Sequence, residues 1–216
     1  FTQRSGKKPS QAEVSAALGR VGYQHLRRSA DDQTIQFTRP GMSINLGAIG
    51  KGDALDRLAS EIRSEGIRDF LIHGGNSSVI AMGDQDPGSD SGWAVGISHP
   101  TKPQHRLAGI WLRDCALATS GSGKQFFHHR GTRFGHVIDP RTGYPAGDLL
   151  SLTVLMDSAA DADACATGLF VMSGEERERI ADQDWFPPLL AVKQGARQDQ
   201  VEIESRGEIN WVEPQS

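Results

Sequence analysis

The stretch DSAADADACATG, residues 157–168, determines how we interpret the rest of the chain. It directly follows the apolar run LTVLM, residues 152–156, and this order predicts a strand that leads into a helix. Either Asp157 or Ser158 can cap the N-terminus of this helix. The five alanines between positions 159 and 166 favour a helix and add little side-chain bulk.

Two oxygen-bearing side chains of the predicted helix, Asp163 and Thr167, are four positions apart and therefore project from one face. A carboxylate and a hydroxyl are hard donors of the kind that Mg²⁺ takes when it binds beside a phosphate. A helix built from alanine is also expected to be too slim to serve core packing alone. Acidic residues early in a helix stabilise its dipole without any metal, so the stretch by itself leaves both explanations open.

Composition limits the classes of protein to consider. The 216 residues are 37% hydrophobic and 23% charged, which is typical of a globular protein with one large or two small domains. A net charge of −4 argues against a nucleic-acid binder, because phosphate neutralisation needs clustered Lys and Arg. Cys115 and Cys165 lie far apart and predict neither a disulfide framework nor a CxxC metal site.

The sequence contains neither a membrane span nor a signal peptide that we recognise. No apolar run approaches the ~20 residues that a transmembrane helix needs. The chain begins with Phe1 and not with Met, so we expect a processed or shortened N-terminus.

Two glycine-containing loops could bring the backbone close to a ligand. GAIGKG, residues 47–52, precedes an amphipathic helix that is predicted to end near Glu65, so Lys51 and backbone N–H groups could approach an anion. Neither the Walker nor the dinucleotide fingerprint is present, and a plain tight turn would have a similar sequence. The second loop, GGN at 74–76, lies between two predicted strands, where its glycines allow close backbone approach.

The remaining pattern predicts an α+β fold with mixed, largely antiparallel sheets and flanking helices. Ser10 and Glu13 form a capping-box pair ahead of a first helix, and residues 175–181 predict a polar helix. Residues 84–92 predict a polar surface loop. No linker divides the chain, so we expect one domain over 1–216. The other predicted strands are 35–37, 42–46, 70–73, 79–82, 93–97, 107–112, 115–119, 126–129, 133–138, 189–192, 201–203 and 209–212.

The stretch GHVIDPRTGYP, residues 135–145, predicts a strand end that runs into a stiff turn. Pro140 biases Asp139 toward extended backbone, and Pro145 fixes the exit of the turn. Polar residues held on such a loop, His136 among them, suit a binding or catalytic site. A structural Asp-Pro turn with a hydrogen-bonded histidine would give the same pattern.

Five blocks of sequence occur in an order that resembles the ApbE family, the FAD:protein FMN transferases. The resemblance extends from about residue 10 to the C-terminus. It implies an α+β fold and Mg²⁺-dependent transfer of FMN from FAD to a threonine hydroxyl of an acceptor flavoprotein subunit, with AMP leaving. The blocks are NLGAIGKGDALD (45–56), HGGNSSVIAMG (73–83), ALATSGSG (116–123), GHVIDPRTGYPA (135–146) and ADADACATGLFVM (160–172).

The resemblance also implies roles for individual residues. Asp163 and Thr167 would bind Mg²⁺ together with the main-chain carbonyl of Ala48. Lys51 would neutralise the pyrophosphate of FAD, and His136 would act with Asp163 in catalysis. The flavin and nucleotide pocket would be lined by Gly74, Gly75, Thr119, Ser120 and Gly121.

Three further expectations follow from the resemblance. About a hundred residues that usually precede this region are expected to be absent, which would make the chain an N-terminally shortened catalytic domain with a weaker hold on the flavin ring. The alternative functions are a pyrophosphatase that splits FAD into FMN and AMP, and a non-catalytic flavin-binding relative. The family suggests a bacterial cell envelope or periplasm, with the cytoplasm as the alternative.

Overall fold

The computed structural model describes residues 8–122, 126–129, 132–197 and 200–212. They fall into two compact units. The first unit comprises Phe1–Asn45 and Gln125–Ala146, and the second comprises Leu46–Lys124 and Gly147–Ser216. We describe each unit by itself, and the prediction of one domain over 1–216 stays a prediction.

The helices and strands of the described residues follow in chain order. The helices are α1 (Gln11–Leu18), α2 (Gly50–Ser64), α3 (Ala159–Val171) and α4 (Gly174–Ile180), with a short 3-10 helix at Tyr23–His25. The strands are β1 (Leu26–Ser29), β2 (Thr34–Phe37), β3 (Phe70–His73), β4 (Ser78–Met82), β5 (Trp93–Ser98), β6 (Arg106–Leu112), β7 (Cys115–Gly121), β8 (Phe126–His129), β9 (Thr132–Gly135), β10 (Ser151–Met156), β11 (Leu189–Gln194) and β12 (Val201–Arg206).

The second unit is built on a six-stranded sheet in the order β12-β11-β10-β7-β4-β3. Every pairing in it is antiparallel, which confirms the predicted fold class. The β5–β6 hairpin contributes to an apolar cluster with three strands of this sheet, and apolar burial of this kind is the main force that holds such layers together. The buried members of the cluster are Ala81, Ile97, Ile110, Leu112, Leu117 and Leu190.

Helices α2 and α3 pack against each other, and α3 also packs on β7 and β10. Alanine makes this packing possible, because a small side chain lets a helix approach its neighbours closely. The helix is therefore core material, and the expectation that it serves more than core packing alone stays a prediction. Its buried residues include Ala159, Ala162, Ala166, Leu169 and Phe170.

Helices α2 and α3 approach each other closely at Gly52. A Cβ added at Gly52 would lie 2.1 Å from the carbonyl oxygen of Ala159, far inside van der Waals contact. Glycine is therefore required at this position by space, and its backbone sits directly against the start of α3.

The first unit contains α1 and two short hairpins, β1–β2 and β8–β9. The predicted capping box is confirmed, since the Ser10 hydroxyl accepts from the Glu13 N–H and the Glu13 carboxylate accepts from the Ser10 N–H. The prediction of a strand over 42–46 is wrong, because these residues form no strand and β2 pairs with β1, residues 26–29. In the second unit, the strand predicted over 209–212 is likewise only an isolated bridge, between Trp211 and Ile110.

No helix within the described part of the chain is long and apolar enough to cross a membrane.

The predicted surface loop at 84–92 is anchored more firmly than its polarity suggests. The Asp84 side chain is buried, accepts from the Gly92 N–H at 2.8 Å and lies 3.3 Å from the Arg113 guanidinium.

Candidate functional site

A buried carboxylate, Asp163 on α3, lies at the centre of the candidate site. The residue is only 5% exposed. Its Oδ2 accepts from the Gly52 N–H at 2.9 Å and lies 3.4 Å from the Lys51 ammonium, while its Oδ1 accepts from the Ser78 hydroxyl at 2.6 Å. A buried charge is tolerated when it is paired and hydrogen-bonded, and these three donors meet that requirement.

Asp163 also caps the N-terminus of α2. That helix begins at Gly50, and Ile49 before it provides no side-chain cap. The Gly52 N–H is in the first turn, where helix N–H groups have no acceptor within the helix. The Asp163 carboxylate supplies this acceptor from 111 positions away in the sequence and gains from the helix dipole there.

The reverse arrangement holds at the N-terminus of α3. Ser158 is the N-cap, since its hydroxyl accepts from the Asp161 N–H at 3.2 Å, so of the two predicted candidates Asp157 is not the cap. A second cap comes from α2, where the Asp56 carboxylate accepts from the N–H groups of Ala159 and Ala160 at 2.8 and 2.9 Å. The two helices therefore cap each other, and their ends are fixed relative to each other.

The predicted pairing of Asp163 and Thr167 on one face of the helix is confirmed, and the sheet adds a third group. The Thr167 hydroxyl donates to the Asp163 main-chain carbonyl at 3.2 Å and lies 2.8 Å from the Ser120 hydroxyl of β7. Thr119 projects from the opposite face of the strand, where its hydroxyl lies 2.8 Å from that of Thr153. Of these two predicted pocket residues, only Ser120 joins the α3 side.

Lys51 is placed at the N-terminus of α2. Its ammonium lies 3.5 Å from the Gly47 carbonyl, in addition to its contact with Asp163, and its side chain is 42% exposed. Ala48 is exposed in the turn that precedes the helix. A cation beside a helix N-terminus forms an anion-attracting position, although contact with a phosphate stays a prediction.

The predicted glycine loop at 74–76 lies beside Lys51. The Gly74 N–H donates to the Ser78 carbonyl at 2.8 Å and so closes the turn between β3 and β4. A Cβ at Gly74 would make ordinary contacts, 3.6 Å from Leu55 and 3.7 Å from the Lys51 Cβ, whereas Gly75 has φ +71. Backbone conformation therefore favours glycine at 75, but space does not require it at 74.

The oxygen donors fit a Mg²⁺ ion that shares its coordination with phosphate and water. No group of three or more His, Cys, Asp or Glu side chains that could hold a metal occurs in the parts of the chain that the structure describes. One carboxylate and nearby hydroxyls suit Mg²⁺ in this setting, because it is commonly bound through one or two carboxylates plus substrate phosphates. Asp163 keeps lone pairs for a metal, since a carboxylate has about four acceptor positions and the bonded donors do not use all of them.

His136 belongs to the first unit and follows directly after β9. The turn after it is held by hydrogen bonds, because the Asp139 carboxylate accepts from the main-chain N–H and from the guanidinium of Arg141, each at 2.8 Å. The hydrogen bond from the Arg141 side chain lowers the pKa of Asp139. Asp139 and Arg141 therefore stabilise the turn, while the catalytic role of His136 stays a prediction.

Sequence reasoning missed Ser78 and Asp56 as parts of this site. Ser78 directly precedes the predicted strand 79–82, and Asp56 lies within the predicted amphipathic helix, but neither was assigned a role. Each makes its decisive contact with α3 across more than eighty residues of sequence, so no local spacing could have indicated it.

Comparison with known proteins identifies the family. The ApbE family model matches residues 1–187. The FAD:protein FMN transferase of Escherichia coli strain K12 is 32% identical over 192 residues, which are 87% of this chain and 54% of that protein. The FAD:protein FMN transferase of Klebsiella pneumoniae is 30% identical over 211 residues, 96% of this chain and 57% of that protein. The chain thus spans a little over half the length of these relatives.

Solved structures agree with the sequence comparison. The crystal structure of the ApbE protein from Thermotoga maritima is 31% identical and superposes with a TM-score of 0.81, covering 92% of this chain and 62% of that one. The flavin transferase ApbE from Vibrio cholerae is 29% identical with a TM-score of 0.75, covering 94% and 62%. By sequence and by fold, the chain belongs to the ApbE family.

Proposed function

We propose that this chain takes part in the Mg²⁺-dependent transfer of FMN from FAD to a threonine hydroxyl of an acceptor flavoprotein, with release of AMP. The observation that carries the proposal is the pair that the Lys51 ammonium forms with the Asp163 carboxylate at the N-terminus of α2. Asp163 and Thr167 lie one turn apart on the same face of α3. The names of the relatives, FAD:protein FMN transferase and flavin transferase, support the same chemistry.

The second unit would hold the pyrophosphate of FAD. Lys51 and the N-terminus of α2 attract a doubly charged anion through an ammonium and the helix dipole. Mg²⁺ would be held by Asp163 and Thr167, with the Ala48 carbonyl, and when bound it would neutralise charge on the pyrophosphate oxygens. Phosphoryl transfer depends mainly on such positioning and charge neutralisation, so little other chemistry is required of the protein.

The transfer step breaks the phosphoanhydride bond of FAD and forms a phosphoester bond to the acceptor threonine. The threonine oxygen of the acceptor attacks the phosphorus on the FMN side of the pyrophosphate. A new P–O bond forms, the bond from that phosphorus to the bridging oxygen breaks, and AMP leaves with this oxygen. The hydroxyl proton passes to a base, and His136 is the residue we propose for that role, because imidazole accepts protons at neutral pH.

Mass spectrometry of a co-expressed acceptor tests this proposal. The protein that carries this chain is expressed with an acceptor flavoprotein, and the acceptor's target threonine is examined for covalent FMN with and without chelation of Mg²⁺. Asp163→Asn removes the buried charge, and Asp161→Asn, an exposed position on the same helix, serves as the matched control.

The proposal expects FMN on the threonine with the unmodified protein and with Asp161→Asn, and none after chelation or with Asp163→Asn. Release of FMN and AMP without labelling would identify a pyrophosphatase instead. Absence of both activities in the unmodified protein would contradict the proposal and favour the non-catalytic alternative.

A further inference from the structure

We propose that Ser78 is a positioning residue that orients the Asp163 carboxylate for metal binding, an inference that rests on the proposed function. Ser78 is the first residue of β4 and is fully buried, with 0% exposure. Its hydroxyl donates to Asp163 Oδ1 at 2.6 Å, across 85 positions of sequence. A bond this short to a charged acceptor is among the stronger hydrogen bonds found in proteins.

The Ser78 hydroxyl lies among apolar groups, with Asp163 as its acceptor. The residue faces α3, next to Ala118 of β7 in the register of the sheet, and Ile80 follows it on the same face of β4. Ile80 and Ala118 are both buried and apolar. A hydroxyl buried among such groups lowers stability unless it is hydrogen-bonded, and Asp163 supplies the acceptor.

The consequence for Asp163 is that both of its carboxylate oxygens are held. Gly52 and Lys51 contact Oδ2, whereas Ser78 contacts Oδ1. With a donor on each side, the carboxylate cannot rotate about its Cβ–Cγ bond without breaking a hydrogen bond. Its remaining lone pairs therefore keep a fixed direction, which a metal with strict octahedral geometry such as Mg²⁺ requires.

Hydrogen-bond partners of metal ligands affect binding strongly, and their removal typically reduces metal affinity or activity by ~10–100-fold. A Ser78 that only fills space in the core would instead affect stability alone. An orienting role and a space-filling role can be separated by comparing variants of equal stability. Only loss of the orienting role would lower metal affinity.

The variants are chosen to make that separation. Ser78→Ala removes the hydroxyl, and Ser78→Cys keeps nearly the same volume but offers only a weak donor. Ser78→Thr keeps the hydroxyl and should restore binding. Ile110→Val, in the apolar cluster that includes the β5–β6 hairpin, lowers stability without touching Asp163.

Calorimetric titration with Mn²⁺ alone, with thermal melting of every variant, decides the matter. Asp163→Asn is measured first: if it binds Mn²⁺ as well as the unmodified protein does, the metal site and the proposed function both fail. If Asp163→Asn loses binding, we expect Ser78→Ala and Ser78→Cys to bind Mn²⁺ ~10–100-fold more weakly, and Ser78→Thr and Ile110→Val to bind it normally. Unchanged affinity in both Ser78→Ala and Ser78→Cys, beside a lost site in Asp163→Asn, would overturn the role of Ser78 and leave the proposed function standing.

Discussion

Replacement of Asp56 by alanine tests the reciprocal capping of α2 and α3. The Asp56 carboxylate accepts hydrogen bonds from the N–H groups of Ala159 and Ala160 and from the Ser158 hydroxyl, at 2.8 to 2.9 Å. Alanine removes all three bonds. The two N–H groups then lose their acceptor at the positive end of the helix dipole.

The expected loss follows from these bonds. A hydrogen bond to a charged group contributes ~1.5–3 kcal/mol, and we take the lower value because Asp56 is half-buried and water can replace part of each bond. The two main-chain bonds together then contribute about 3 kcal/mol. For a chain of this size, 1 kcal/mol corresponds to ~2–4 °C in melting temperature, so Asp56→Ala should melt about 6–12 °C lower.

Thermal melting followed by circular dichroism measures this change, and Asp53→Ala is the matched control. Asp53 lies one turn earlier on α2, is 55% exposed and pairs with Arg57, at 3.0 Å. Surface pairs of this kind contribute ~0.3–0.5 kcal/mol, so the control should melt within about 2 °C of the unmodified protein. If Asp56→Ala melted together with the control, the proposed capping would not contribute to stability.

Three further predictions concern other residues. Gly52→Ala should lower the free energy of unfolding by about 3 kcal/mol or more, because its Cβ would lie 2.1 Å from the Ala159 carbonyl oxygen, and a urea titration that shows no loss would contradict this contact. Hydrogen bonding by Arg141 lowers the pKa of Asp139, so its stabilisation is fully present above the unfolded value of ~3.9 and is lost as pH falls through the folded pKa. The difference in unfolding free energy between the unmodified protein and Asp139→Asn should therefore shrink below about pH 4, and a difference independent of pH would argue against this effect. His136→Asn should slow flavin transfer by ~10²–10⁴-fold with FAD affinity, measured by fluorescence titration, little changed; a normal rate would exclude His136 from the mechanism.

Elements with local signals were predictable from the sequence. The apolar run before residue 157 and the alanine-rich stretch after it predicted β10 and α3, and Ser158 was one of two candidate caps. Capping and side-chain periodicity depend on residues within about four positions of each other, so a single sequence contains the whole pattern. The pairing of Asp163 with Thr167 was predictable for the same reason.

Contacts between distant segments were not predictable. Ser158 and Asp56 are 102 positions apart, and Ser78 and Asp163 are 85 positions apart, so neither pair leaves a pattern in one stretch of sequence. The fold brings them together by packing α3 against α2 and the sheet.

The strand predicted over 42–46 failed for a related reason. Apolar content gave the segment strand character, but strand formation needs a partner. The partner of β2 is β1, which has the sequence LRRS. Its two arginines are exposed, so a pattern of apolar residues does not predict this strand.

Metal and pyrophosphate binding at the N-terminus of α2 is the central proposal, and crystals grown with Mn²⁺ and FAD would show whether it occurs. Mn²⁺ is located by its anomalous scattering. We predict an anomalous peak at coordinating distance from an Asp163 carboxylate oxygen and the Thr167 hydroxyl, with the FAD pyrophosphate beside the Lys51 ammonium. A Mn²⁺ peak remote from α3, or a pyrophosphate bound away from Lys51, would contradict the account.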